Sequence, residues 1–196
     1  MVLAIALIVA VAALVVAVQS GNDGDDDAGT TEPTPTAITT TDGSATRPAG
    51  VPGPSAHAEA MRVRYVFDGD TVELQAEQPG EIVTTLAEIP VRLIGVDTPE
   101  VNPETECYGA ESTAFLRALL PEDTRVLVDR DRDGWDDFER RLLYLWLEDG
   151  RFVNYEIVAQ GYGEAIRVWP NVEYHSTMLA VQAAAEQAEL GLWGAC

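Results

Sequence analysis

The chain contains no lysine: its 12 basic residues are all arginine, and they stand against 33 acidic residues. The formal net charge is −21 at pH 7. Proteins that bind nucleic acids without regard to sequence normally use a basic surface that displaces phosphate counterions, so this charge argues against that class. It argues equally against attraction to an anionic membrane surface.

Cysteine and histidine are also scarce, with 2 residues of each. Two cysteines are too few for a disulfide-rich scaffold or a four-thiolate zinc site. Neither His57 nor His175 has a partner at a spacing typical of metal ligands. The hydrophobic content of 46% is nevertheless normal for a folded protein, which excludes disorder along the whole chain.

Residues 1–18 form an unbroken apolar run without a charge. As a helix rising about 1.5 Å per residue they would span about 27 Å, at the lower limit for crossing a bilayer. The run lacks the positively charged start of a signal peptide, and no convincing cleavage site follows it, which favours an anchor. Both interpretations predict that the remainder is extracellular, either secreted or anchored to the outer face of the cell membrane.

Residues 19–60 are rich in Thr, Pro, Gly and Asp, and their only large apolar residues are Ile38 and Val51. Such a segment cannot bury enough apolar surface to offset its ordering entropy, so we expect a disordered linker. It is either a stalk-like spacer or a plain connection. Residues 61–196 are predicted to form the folded domain, which still has a net charge of −15 from 26 acidic residues and 11 arginines.

Alternating apolar residues and turn signals give a coarse prediction for this domain. We expect strands at 61–67, 71–74, 91–96, 124–128 and 141–147, and helices at 109–120, 152–159 and 172–190. Several short strands with intervening helices indicate a small β-barrel with helices packed around it.

Two short motifs contain the residues best suited to chemistry. The first is Asp68-Gly-Asp70-Thr71, and the second runs from Arg92 through Asp97-Thr98-Pro99 to Glu100. Both place carboxylates at the ends of predicted strands, where main-chain carbonyls are also accessible. Oxygen donors of this kind suit Ca²⁺, although each motif alone is more typical of a turn than of a metal site.

Taken together with their spacing, these motifs resemble the staphylococcal (micrococcal) nuclease family, also called thermonucleases. The resemblance extends in order through most of the domain, in the segments VFDGDTVEL at 66–74, VRLIGVDTPE at 91–100, YGAESTAFLRALL at 108–120, ERRLLYLWLEDGRFVNYEIVAQGYGEA at 139–165, PN at 170–171 and GLW at 191–193. It implies a mainly β, α+β fold: an OB-fold five-stranded β-barrel with three peripheral helices.

The resemblance also implies a Ca²⁺ site. Its ligands would be the carboxylates of Asp70 and Asp97 and the main-chain carbonyl of Thr98. Asp68 would support this site without binding the ion directly.

The implied activity is Ca²⁺-dependent hydrolysis of phosphodiester bonds in DNA and RNA. We expect a monomer, and the apolar run at 1–18 predicts that it meets the membrane only through its N-terminal segment. Glu100 corresponds to the carboxylate that activates the attacking water, either by taking its proton or by ordering it. Arg92 and Arg140 correspond to the two guanidinium groups that bind the phosphate. The alternative is a non-catalytic OB-fold module that binds single-stranded nucleic acid or peptide.

The segment before the second arginine departs from the family pattern. The family commonly has an aromatic residue followed by glycine, whereas this chain has Phe138 followed by Glu139. Arg141 is therefore a rival for the role of Arg140, although spacing favours Arg140. Phe138 and Trp169 lie near positions where the family stacks bases on tyrosine, so these rings either stack on substrate or pack within the fold.

Residues 129–137 resemble the start of an EF-hand loop, but the twelfth position would be Arg140 rather than a bidentate glutamate. A solvated acidic loop is therefore favoured over a second Ca²⁺ site, or over an acidic protein whose only role is to bind Ca²⁺. In an exported protein Cys107 and Cys196 are expected to pair. Closing a loop of about 90 residues would stabilise the fold by about 4 kcal/mol in the chain-entropy model.

The excess of acidic residues and the absence of lysine lead to one further hypothesis. At about 1 M salt the Debye length falls to about 3 Å, so repulsion between an acidic domain and a polyanion is largely screened. We therefore expect a protein adapted to high salt, as in a halophilic microbe.

Overall fold

The computed structural model describes residues 50–196. The predicted anchor at 1–18 and most of the predicted linker at 19–60 lie outside the described residues. The elements, in chain order, are β1 Glu59–Val66, β2 Thr71–Ala76, β3 Glu88–Leu93, β4 Val96–Asp97, α1 Gly109–Leu119, β5 Arg125–Asp129, β6 Arg141–Leu147, α2 Val153–Ala159, β7 Glu164–Ala165, α3 His175–Gln187 and α4 Leu192–Ala195.

Five strands close into a barrel in the order β1-β2-β3-β6-β5, with β5 pairing back onto β1. All neighbouring pairs are antiparallel except β3 and β6, which run parallel. A two-stranded sheet of β4 and β7 lies outside this barrel order. The predicted α+β fold, a five-stranded barrel with peripheral helices, is confirmed, and the structure adds the four-residue helix α4.

The barrel interior is apolar because strand residues alternate between its two faces. In β1, Met61, Val63 and Val66 are buried, and an irregularity in the pairing between Val63 and Tyr65 changes the alternation. In β6, residues 143–147 are buried on both faces. One face of β6 fills the barrel, and Trp146 on the other face stacks on Phe152.

The ordered fold begins before Met61, where the domain was predicted to start. Strand β1 begins at Glu59, and Val51 is buried in the same cluster as Trp146. The indole Nε1 of Trp146 donates a hydrogen bond to the carbonyl of Pro52 at 3.0 Å. A short segment at the end of the predicted linker therefore covers one side of β6.

The third strand begins and ends three residues earlier than the predicted 91–96, and a turn follows it. β3 ends at Leu93, and Gly95 adopts a φ of 74°, which favours glycine. The carbonyl of Ile94 accepts a hydrogen bond from Asn154 Nδ2 at 2.9 Å, which fixes the turn to α2. The chain then forms β4, which pairs with β7 and carries Asp97 away from the barrel wall.

The last long helix also differs from the prediction, because α3 begins at His175 rather than near residue 172 and ends at Gln187. Cys107 and Cys196 form a disulfide, as predicted. No helix among residues 50–196 combines the length and the apolar character needed to cross a membrane.

Candidate active site

The turn between β1 and β2 packs closely against the second motif. The Asp68 carboxylate accepts a hydrogen bond from the amide of Asp70 at 3.1 Å, which shapes the turn. A Cβ placed on Gly69 would lie 2.6 Å from Thr98 Oγ1, closer than any side chain permits. Glycine at position 69 therefore allows the two motifs, 28 residues apart at Asp70 and Thr98, to meet.

Asp70 is the buried carboxylate of this site, with only 5% of its surface exposed. Its Oδ2 accepts hydrogen bonds from the amide and the hydroxyl of Thr98, at 2.8 and 3.0 Å. Burial raises the pKa of Asp70 to about 6, and the nearby Asp68 adds to the rise, while Arg92 and the Thr98 hydrogen bonds oppose it. The neighbouring groups therefore compensate this buried charge only in part.

Arg92 connects the two motifs. It projects from β3, and its Nη2 lies 3.1 Å from Asp70 Oδ2 and 2.8 Å from Asp97 Oδ1. Its Nη1 donates to the carbonyl of Val96 at 2.6 Å. The guanidinium plane is thus fixed by the turn that breaks β3, and it holds both carboxylates next to each other.

Glu100 lies three residues beyond Asp97 and is exposed to solvent. Partial burial raises its pKa, and the nearby carboxylates of Asp68, Asp97 and Glu106 raise it further, whereas Arg92 lowers it. The side chain therefore shares an electrostatic environment with the carboxylates and the arginine of both motifs.

Arg140 approaches the same site from the loop before β6. Its Nη1 lies 3.4 Å from Thr71 Oγ1, beside Asp70, and its Nε donates to Asp136 Oδ2 at 2.6 Å. Arg141 instead lies 4.6 Å from the centre of the Trp135 ring and donates to the carbonyl of Ile82. The structure thus brings Arg140, and not its rival Arg141, to the first motif.

Glu139 occupies the position where the family commonly has glycine, and its φ is 63°. Residues other than glycine rarely adopt this left-handed backbone conformation. Position 139 therefore has the backbone conformation expected of glycine, although its residue is a glutamate.

The expected donors suit a hard cation in their chemistry. The Asp70 and Asp97 carboxylates both contact Arg92 Nη2, and the third expected donor is the main-chain carbonyl of Thr98, whose amide donates to Asp70 Oδ2. All three donors are oxygen, the ligand type that Ca²⁺ prefers. A cation would also offset the burial of the Asp70 charge. Residues 50–196 contain no group of three or more His, Cys, Asp or Glu side chains that could hold a metal ion.

Carboxylates of the acidic loop at 129–137 accept hydrogen bonds from groups of the protein and do not converge on one point. Asp131 Oδ2 accepts hydrogen bonds from Tyr144 Oη and from the amide of Glu173, both at 3.0 Å. The Asp136 carboxylate accepts from the amides of Phe138 and Arg140. These contacts favour the interpretation of a structured acidic loop over a second Ca²⁺ site.

Phe138 and Trp169 are exposed rings and not packing residues, with 78% and 69% of their surfaces accessible. Guanidinium groups lie over both rings, with Arg140 5.4 Å from the centre of Phe138 and Arg132 5.7 Å from that of Trp169. Trp169 and Arg92 line the same cleft of about 380 Å³. The alternative that both rings pack within the fold is wrong.

Sequence reasoning missed three residues near the site. Asp136 fixes Arg140, Trp135 lines the cleft that contains Arg92, and Glu106 hydrogen-bonds to Glu100. The spacing of Asp136 four residues before Arg140 was available as a signal. Nothing in the sequence indicated which way Glu106 or Trp135 would face.

Comparison with known proteins shows the family to which the chain belongs. The family model described as "Staphylococcal nuclease homologue" matches residues 90–195. Over 138 residues, 69% of this chain and 76% of the relative, the chain is 34% identical to the thermonuclease of Staphylococcus intermedius. It is 26% identical to an uncharacterized protein of Methanocaldococcus jannaschii over 153 residues, 67% of this chain and 70% of the relative. It is 29% identical to the "Probable endonuclease LCL3" of Pyricularia oryzae over 117 residues, 55% of this chain and 44% of the relative. The chain therefore belongs to the staphylococcal nuclease homologue family.

Proposed function

We propose that this protein is a Ca²⁺-dependent nuclease that hydrolyses phosphodiester bonds of DNA and RNA. The observation that carries the proposal is the contact of one Arg92 nitrogen with both Asp70 and Asp97, next to Thr98. Membership of the family, and relatives named thermonuclease and endonuclease, support nuclease activity. The dependence on Ca²⁺ and the cleavage of both DNA and RNA are the more specific part of the proposal.

Asp70, Asp97 and the Thr98 carbonyl would hold the Ca²⁺ ion. When bound, the ion supplies positive charge close to the phosphoryl oxygens, where negative charge grows during in-line attack. Asp68 does not bind the ion in this proposal. It shapes the turn through its hydrogen bond to the Asp70 amide and raises the pKa of Asp70.

Arg92 and Arg140 bind and orient the phosphate in this proposal. A guanidinium presents two parallel N–H donors that match two phosphate oxygens, which an ammonium group does not. Asp136 fixes the Nε side of Arg140, and the Nη1 group of Arg140 lies beside Thr71. The fork is therefore oriented before substrate arrives, which lowers the cost of ordering it.

Glu100 acts on the attacking water. Its pKa is raised by partial burial and by neighbouring carboxylates, which makes it a better proton acceptor than an isolated glutamate. The carboxylate takes a proton from the water, or orders the water by accepting its hydrogen bond. Both roles require Glu100 to be held at a fixed position beside the phosphate.

The local charge makes metal and substrate binding interdependent. The three carboxylates of Asp70, Asp97 and Glu100 and the two guanidinium groups of Arg92 and Arg140 sum to −1. Adding Ca²⁺ changes this sum to +1. Since a phosphate is repelled by the first arrangement and attracted by the second, we expect substrate to bind tightly only after the cation.

We further propose that the protein works outside the cell, secreted or anchored through residues 1–18, and at high salt. The Cys107–Cys196 disulfide supports an oxidising compartment. The exposed rings of Phe138 and Trp169 offer base stacking, which depends less on ionic strength than contacts between charges do. Stacking therefore suits an acidic protein whose substrate is also an anion.

The test is cleavage by the full chain, because a fragment beginning at Met61 would lose the first residues of β1 and the cover of Trp146. Single-stranded DNA, duplex DNA and RNA are each incubated with Ca²⁺ or with a chelator. We expect cleavage with Ca²⁺ and none with the chelator. Binding of single strands without cleavage under any condition would instead support the non-catalytic OB-fold module.

A further inference from the structure

The loop that carries Glu100 has little local structure to hold it. Residues 98–108, between β4 and α1, form neither helix nor strand, and residues 102–107 are exposed. A residue that acts on a water molecule must be positioned to within a fraction of an ångström, because misplacement by 1 Å can cost about 10²-fold in rate. The groups that fix this loop therefore matter for the proposed reaction.

Glu106 makes two hydrogen bonds to Glu100. The amide of Glu106 donates to the carbonyl of Glu100 at 2.8 Å, and the amide of Glu100 donates to Glu106 Oε2 at 3.0 Å. Within the described part of the chain, these are the only hydrogen bonds to the main chain of Glu100. Because water competes for donors and acceptors at exposed positions, these two bonds alone are weak. They cannot hold the loop unless its far end is also fixed.

The far end of the loop is fixed by a covalent bond at the next residue. Cys107 is joined to Cys196, which follows directly after helix α4. The cystine and Glu106 line the same cleft, of about 330 Å³, as Asp97 and Thr98. The disulfide therefore lies beside the proposed metal ligands as well as at the end of the Glu100 loop.

Helix α4 is itself attached to the body of the domain. Its first residue, Leu192, is buried and donates its amide hydrogen to the carbonyl of Gly161 at 2.8 Å. Gly161 and Gly191 approach so closely that a Cβ on Gly191 would lie 2.1 Å from the Gly161 oxygen. The disulfide thus joins an exposed loop to a packed element, and not one loose segment to another.

A second close contact supports the same arrangement from the other side of the loop. A Cβ on Gly109, the first residue of α1, would lie 2.5 Å from the carbonyl oxygen of Glu100. The helix therefore abuts the main chain of Glu100. A shift of Cys107 and Tyr108 would move the start of α1 relative to that residue.

We propose that the Cys107–Cys196 disulfide and Glu106 act together as a positioning clamp for Glu100. This inference rests on the proposed role of Glu100. The cystine is exposed and belongs to neither buried cluster of the domain. Opening it therefore releases the loop while the barrel stays folded, so the disulfide affects catalysis as well as stability.

The first test is reduction of the folded full chain. A dithiol reduces the disulfide by two electrons, giving two protein thiols and the cyclic disulfide of the reagent. We expect amide hydrogen exchange at residues 100–106 to accelerate by about tenfold or more, with exchange in β1, β5 and β6 unchanged. In the Cys107→Ser/Cys196→Ser variant the loop exchanges rapidly from the start, and the dithiol changes nothing further.

The second test separates positioning from general stability by kinetics well below the unfolding temperature. We expect reduction, or Glu106→Ala, to lower kcat by about 10²-fold with KM within about twofold of the oxidised wild type. Glu106→Gln keeps an acceptor oxygen for the Glu100 amide and recovers most of kcat. Glu104→Ala, at an exposed residue of the same loop, is the control and leaves kcat unchanged.

The outcomes distinguish the clamp from the activity on which it rests. If the oxidised wild type cleaves no substrate, the proposed function fails, and the hydrogen exchange experiment still decides whether the disulfide holds the loop. If the wild type cleaves but reduction alters neither loop exchange nor kcat, the clamp is wrong and the nuclease stands. A loss of kcat accompanied by faster exchange throughout the barrel would assign the disulfide a purely structural role and overturn the proposal.

Discussion

Nη2 of Arg92 lies 3.1 Å from Oδ2 of Asp70, a carboxylate that is almost completely buried. The same nitrogen donates to the exposed carboxylate of Asp97. A single guanidinium therefore holds together the two carboxylates that we propose as Ca²⁺ ligands. In our account it also binds the phosphate, so its planar shape matters as much as its charge.

Arg92→Lys tests the importance of that shape. Lysine keeps the positive charge but loses the fork, so we expect the fold to persist and the cleavage rate to fall by about 10²–10³-fold. Steady-state kinetics and thermal unfolding measure the two effects separately. Arg151→Lys, at an exposed ion pair with Asp149, is the matched control. Turnover at the wild-type rate in Arg92→Lys would exclude Arg92 as a phosphate ligand.

Asp70→Asn tests whether the buried charge serves function at the expense of stability. The pKa of Asp70 is raised to about 6 in the fold, so folding favours its protonated form. In the presence of a chelator, its contribution to wild-type stability is therefore largest below about pH 4 and is lost as the pH rises through 6. Asparagine does not ionise, so the variant does not lose stability as the pH rises through 6. We therefore expect it to be more stable than the wild type at pH 8, and to be inactive. Urea unfolding at pH 5 and pH 8 measures this, and a variant less stable at pH 8 would contradict it.

Glu139→Gly tests the left-handed backbone before Arg140. A non-glycine residue with a φ of 63° carries a conformational penalty, so we expect glycine to stabilise the fold by about 1 kcal/mol. Asp137→Gly, at an exposed residue of the same loop without positive φ, is the control and should bring no gain. Denaturant midpoints compare the two variants. Equal effects of both substitutions would show that the conformation of Glu139 is not strained.

Salt dependence tests the proposed adaptation to high ionic strength. Repulsion between the acidic domain and a polyanion is screened as NaCl approaches about 1 M, where the Debye length is about 3 Å. We therefore expect cleavage and thermal stability to rise from dilute buffer towards molar NaCl. A steady fall of both quantities over that range would contradict the proposal.

The pattern of short strands with intervening helices, together with the family resemblance, was sufficient to predict the barrel, and the two motifs were sufficient to indicate that the first site residues lie together. Asp70 directly precedes β2 and Arg92 lies near the end of β3, and the pairing of these two barrel strands brings the residues together. Asp97 lies in β4, outside the barrel, and reaches Arg92 because it follows only five residues later. The end of β3 at Leu93 was not predicted, because the turn after it is held by a hydrogen bond to Ile94 from Asn154, 60 residues further along the chain.

The surroundings of the arginines show a second limit of sequence reasoning. Spacing favoured Arg140 over Arg141, but the choice is made by the direction of each side chain, which depends on Asp136 and Trp135. The burial of Val51 in the same cluster as Trp146 was missed for a similar reason. Its flanking residues are typical of a linker, and only Trp146, far away in sequence, provides a surface to bury it.

The Ca²⁺ dependence of cleavage tests the central claim most directly. The rate of single-stranded DNA cleavage by the full chain is measured as Ca²⁺ is titrated into chelator-treated protein, beside Asp97→Asn. We predict that the wild-type rate rises from none to a plateau, and that the variant needs far more Ca²⁺ or stays inactive. A wild-type rate that is the same with Ca²⁺ and with chelator, or a variant that follows the wild-type titration, would contradict the account.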